Sequence, residues 1–171
     1  LICFLHGTAL ASVVTLINDS SLGNYNSSLG NVLDGTSELF PITNTVDPTF
    51  DPAPEPALLT AEVILGHWLT DPSNLNQNWS SAQAIPTTWA SGTESAIVYT
   101  IAVAGQLKDF SVSIGVDNGA FVWLDGHYLG GQVKPGVVFP GELKLTVPNI
   151  GQGTHYLQIL REDHGSLIGF S

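Results

Sequence analysis

The run at residues 110–131, FSVSIGVDNGAFVWLDGHYLGG, admits few folds. Val112, Ile114 and Val116 alternate with Ser111, Ser113 and Gly115, the period of a strand with one buried and one wetter face. Asp117-Asn118-Gly119 breaks the pattern, and residues 120–124 are then apolar on both faces. Asp125-Gly126 suits a tight hairpin, because both central residues of a type I′ turn need positive φ. His127-Tyr128-Leu129 would return as the next strand. A chain organised around such a hairpin is sheet at its centre.

The flanking sequence repeats this grammar. SVVTLI at residues 12–17 predicts a first strand, and Ile97, Tyr99, Ile101 and Val103 predict a central one. Pro135-Gly136 and Pro140-Gly141 bracket a short edge strand over residues 137–139. Leu143, Leu145 and Val147 alternate with Lys144 and Thr146, YLQILR at residues 156–161 forms another strand, and residues 166–170 start a last one. LLTAEVIL at residues 58–65 reads as a short helix with Thr60 as its N-cap or as a strand, a helical turn leading into an extended segment being preferred. Residues 18–59 differ: Asn, Ser, Gly, Asp and Pro dominate, with isolated anchors at Tyr25, Leu29, Val32, Leu39, Phe40 and Phe50. They predict a long irregular loop, either functional or laid over the sheet as a cover.

Eight to ten short strands with no long helix indicate an all-β fold, an antiparallel β-sandwich of jelly-roll type. At 171 residues the chain holds one such domain, assigned to residues 12–171.

Residues 1–11, LICFLHGTALA, are apolar and end in Ala9-Leu10-Ala11, the small-x-small pattern of a signal-peptide cleavage site. They are expected to be the remnant of a signal peptide, the alternative being a first strand, and the C-terminus is expected to be truncated. The single cysteine, Cys3, lies in that segment, so the mature domain must be stabilised by its core without disulfides. The net charge of −11, with only four Lys and Arg, repels a phosphate backbone, and nucleic acid is not an expected partner. No apolar run has the length of a membrane span.

Five residues stand out as candidate ligand contacts. Asp117 and Asn118 offer two oxygen ligands to Ca2+, although the same residue types also cap turns. Apart from Ca2+, no cofactor is expected. Arg161 and Asp163 share one side of a strand end, while Glu162 and His164 share the other. That cluster reads as a binding rim or as a buried salt bridge made by Arg161. Trp68, Trp79 and Trp89 suit stacking on a sugar or a place in the sandwich core, the core being the commoner site for large aromatics; of the three, Trp79, flanked by Asn78, Ser80 and Ser81, is best placed for exposure, and Trp123 is assigned to the core. His67, His127, His155 and His164 lack metal-ligand spacing, and neither a Gly-x-Ser-x-Gly nucleophile motif nor a phosphate-binding loop occurs.

VDNGAFVWLDG (residues 116–126) followed by GTHYLQILREDHG (residues 153–165), with Trp89 ahead of an apolar strand, resembles the galactose-binding-like β-sandwich domains. Over residues 13–165 the chain also resembles exported bacterial proteins of the PEP-CTERM sorting class, although Pro54-Glu55-Pro56 is a loop tripeptide and not that signal. The resemblance implies a secreted or cell-surface bacterial protein associated with extracellular polysaccharide. The expected function is a non-catalytic module that binds or organises such a glycan. The alternatives are a purely structural matrix protein and, third, a secreted glycan hydrolase.

Overall fold

The computed structural model describes residues 13–31, 49–163 and 168–171. The signal-peptide segment with Cys3, the anchors Val32, Leu39 and Phe40, and His164 lie outside the described residues.

Among the described residues, ten strands and one helix follow in chain order: β1 Leu22–Gly30, α1 Leu59–Leu65, β2 Gln83–Ala84, β3 Glu94–Val103, β4 Leu107–Ile114, β5 Val116–Asp117, β6 Gly119–Leu124, β7 His127–Val133, β8 Leu143–Ile150, β9 Gly153–Glu162 and β10 Gly169–Phe170. Six form one antiparallel sheet in the order β2-β1-β3-β9-β6-β7, while β4 pairs with β8 and β5 with β10. The expected all-β antiparallel sandwich is what the chain adopts.

Alternation along the central strands explains the layering. Ile97, Tyr99 and Ile101 of β3 join Leu157 and Ile159 of β9 in one apolar cluster, which Val112, Ile114 and Leu143 of the β4–β8 pair cover. The intervening residues Ala96, Val98, Phe121, Trp123 and Leu160 face a second cluster. There the cover is α1 and its flanking loops, through Ala53, Leu58, Ala61, Leu65, Trp68 and Trp79. Both faces of β6 are therefore covered, which is why residues 120–124 read as apolar throughout.

The hairpin forms as its sequence requires. Asp125 and Gly126 have φ of 51° and 75°, and Asp125 fastens the turn to β9 by accepting from the Tyr156 amide at 2.8 Å.

Four expectations need correction. Residues 13–17 form no strand, and Val13 is 98% exposed, although Leu16 and Ile17 pack on the core. Within the supposed loop of residues 18–59, β1 pairs with β3 in a register that shifts between Asn26 and Gly30. Its Asn-, Ser- and Gly-rich sequence lacks strand propensity, and a neighbouring strand supplies the ladder instead. Residues 137–139 are irregular. Finally, α1 begins after Leu58, without a side-chain cap, so Thr60 is not the N-cap. Buried Ala61 and Leu65 hold the helix in place. Residues 49–58 of that loop, through Ala53 and Leu58, serve as part of the cover over the sheet.

Candidate functional site

Buried polar residues gather at one end of the large sheet. The register sets Arg161 opposite Ser95 of β3 and Ala120 of β6, and Glu162 opposite Gly119. Ala120 in turn faces Gln132 of β7. Asp117, Asn118, Arg161 and Asp163 meet at this end, and each is buried.

Arg161 is fully buried and points to the sandwich interior. Its Nε donates to Ser95 Oγ at 3.0 Å and its Nη1 to Pro86 O at 2.8 Å. The guanidinium carbon lies 4.3 Å from the Trp89 ring centre, 4.7 Å from Phe170 and 5.3 Å from Tyr25. Cation–π contacts thus stand where a carboxylate was the expected partner. Burial pushes its pKa down to about 10, so the group keeps its charge at neutral pH.

Asp163 accepts a hydrogen bond from the Gly92 amide. Asn118 is bound on both sides by its backbone: its amide donates to Glu162 O, and its carbonyl accepts from Lys134 N, both at 3.0 Å. Gly119 follows because the strands close in there. A Cβ would sit 2.8 Å from Val133 Cγ2 and 3.0 Å from Glu162 Oε2. These four residues do not form an open rim, and burial makes their first role the joining of strand ends.

Asp117 does border a pocket of about 220 Å3, with Lys134, Phe139 and Glu142 around it. Lys134 Nζ and Glu142 Oε2 are 3.7 Å apart, and Glu142 Oε1 accepts from the Val116 amide at 2.8 Å. Ca2+ takes about six to eight oxygens. Among the described residues, no group of three or more His, Cys, Asp or Glu side chains converges as a metal site.

Of its two readings, Trp79 takes the core and not the exposed sugar platform. It is 8% exposed, its Nε1 donates to Leu65 O at 3.0 Å, and it stacks on Trp68 with centroids 5.9 Å apart. Trp68 meets Trp123 edge-on at 5.5 Å. Trp68 and Trp89 are also buried. The flat face expected to meet a sugar is instead packed in the core.

Trp79 nevertheless takes part in the lining of an open groove of about 320 Å3. Asn24, Asn76, Ser80, Thr100 and Tyr156 line it. β1 and the loop bearing Trp79 are stitched together by Asn24 Nδ2 donating to Ser80 O at 2.8 Å and Tyr25 N donating to Ser80 Oγ at 3.0 Å. Asn76 is anchored by donating to Ile64 O at 2.9 Å. Thr100 and Tyr156 are paired neighbours on β3 and β9. The groove is thus a patch of amides and hydroxyls beside two aromatic residues, Trp79 and Tyr156, drawn from four separate segments. No local motif in the sequence marks it.

No family model matches the chain, and no curated protein matches it. Among solved structures, the PA14 domain of the antifreeze protein MpAFP is similar at 10% identity, with a TM-score of 0.33, over 96% of this chain and 85% of that chain.

Proposed function

We propose that this domain is an exported, non-catalytic module that binds or organises extracellular polysaccharide at the bacterial cell surface or in its matrix. The polar groove that Trp79 and Tyr156 help to line is the observation that supports this reading. Neutral sugars are recognised by amide and hydroxyl partners together with aromatic edges, and the groove presents both without a charged side chain in its lining. Amides and hydroxyls stand there in place of the two carboxylates that glycoside hydrolysis needs. A structural matrix role has its own support, since Trp79, Asp117, Asn118, Arg161 and Asp163 are all buried as a purely architectural set would be. Ca2+, if it takes part, would be met at the pocket of Asp117 and Glu142.

Thr100 is exposed on β3 and separates the two readings. Thr100→Arg fills the groove without touching the core. Affinity electrophoresis through neutral and acidic bacterial polysaccharides, with and without Ca2+, should show retardation of the wild type and its loss in the variant, with unfolding unchanged. If no polysaccharide retards the wild type in either condition, the matrix reading stands instead.

A further inference from the structure

Among the described residues, Phe139 is the one aromatic side chain that stands mostly in water, at 62% exposed. It belongs to neither apolar cluster, yet its backbone is firmly seated. Glu142 N donates to Phe139 O at 3.3 Å, with Pro140 second in the turn and Gly141 third at a φ of 75°, the arrangement of a type II turn. The same carbonyl rests on Gly115, where a Cβ would sit 2.5 Å from it. As first and last residues of this turn, Phe139 and Glu142 are presented together, and both line one pocket.

That pocket is the one of about 220 Å3 beside Asp117, with Lys134 as its cation and Pro135 and Val137 extending the apolar side. The Glu142 carboxylate is already fixed: Oε1 accepts from the Val116 amide at 2.8 Å, and Oε2 lies 3.7 Å from Lys134 Nζ. An ammonium carries three donors and a carboxylate about four acceptor sites, so this single long contact leaves capacity on both groups. An aromatic ring, a carboxylate and an ammonium thus stand around one small space. A sugar ring matches all three. Its C–H face packs on an aromatic face, while each hydroxyl can donate to a carboxylate or accept from an ammonium in a charge-assisted hydrogen bond.

We propose that this pocket binds a single sugar unit, such as the end of a glycan chain, with its C–H face on Phe139 and its hydroxyls on Glu142 and Lys134. The site is separate from the polar groove. Six residues of β9 lie between Tyr156, in the groove, and Glu162, whose carbonyl accepts from the amide of Asn118 next to the pocket. At ~3.3 Å per residue the two sites are about 20 Å apart, so one chain can hold two points of glycan.

Saturation-transfer NMR of the full chain with the methyl glycosides of galactose, glucose and mannose tests it. At least one glycoside should receive saturation on its ring C–H protons. Phe139→Ala should weaken that glycoside at least about threefold and leave the thermal midpoint unchanged, because the ring is exposed. Glu142→Gln keeps an acceptor for the Val116 amide and removes the charge, and it should weaken binding to a similar extent. Binding should persist in Thr100→Arg, where the groove is filled. Absence of saturation with every glycoside, unchanged affinity in Phe139→Ala, or loss of binding in Thr100→Arg would overturn the assignment.

Discussion

The Arg161 guanidinium carbon lies 4.3 Å from the centre of the Trp89 ring, and Trp89 is fixed in turn by its Nε1 donating to Thr93 O at 2.7 Å. The loop ahead of β3 and the next-to-last residue of β9 are thus joined through one aromatic face. A planar guanidinium can stack there while donating in its own plane to Ser95 and Pro86. An ammonium cannot do both.

Arg161→Lys should therefore destabilise the domain by about 2 kcal/mol or more, as desolvated cation–π contacts are lost and a buried acceptor is left open. Urea unfolding measures this, and a variant as stable as wild type would show that charge alone matters at this position.

Trp79→Ala should cost about 3–5 kcal/mol, the usual range for emptying a buried aromatic site. Trp79→Phe, which keeps part of the stack on Trp68, should cost less. Chemical denaturation of both variants gives the ranking. Equal stability of Trp79→Ala and wild type would contradict the packing described.

Gly119→Ala places a methyl group 2.8 Å from Val133 Cγ2 and 3.2 Å from Gln132 O. The backbone on one side cannot yield as a side chain can, so a loss of about 1–3 kcal/mol is expected. The thermal midpoint should fall, and an unchanged midpoint would mean that the strand ends are looser than this geometry implies.

His155 Nδ1 lies 2.6 Å from Asp125 Oδ2, and this hydrogen bond, ahead of the carbonyl of Gly151, raises the imidazole pKa. Because the folded value is higher than the unfolded one, the pair contributes its full stability below the unfolded pKa of about 6.5 and loses it as pH rises through the folded value. Stability of the wild type relative to His155→Gln should shrink across that window. Identical pH profiles for the two proteins would show that the contact does not titrate.

The candidate residues show how far a sequence can be read. Asp117, Asn118, Arg161 and Asp163 were recognisable as a polar group at strand ends, and they do meet at one end of the sheet. Burial was one of two readings for Arg161, but that all four are buried was not legible, because it depends on β10 and the loop at residues 86–92 folding over this end of the sheet. Trp79 shows the opposite case: polar neighbours suggested exposure, whereas Leu65 O and Trp68 hold its indole inside.

The sequence alone determined the hairpin at Asp125-Gly126, the central strands β3 and β9, and the all-β class. Those features follow from φ preferences and period-two alternation, which act within a few residues. Tertiary structure decided that β1 is a strand, that residues 13–17 are not, and that the groove and the Phe139 pocket exist. Each of these rests on hydrogen bonds or apolar contacts between segments far apart in the chain, and no local pattern encodes which distant segment will be there.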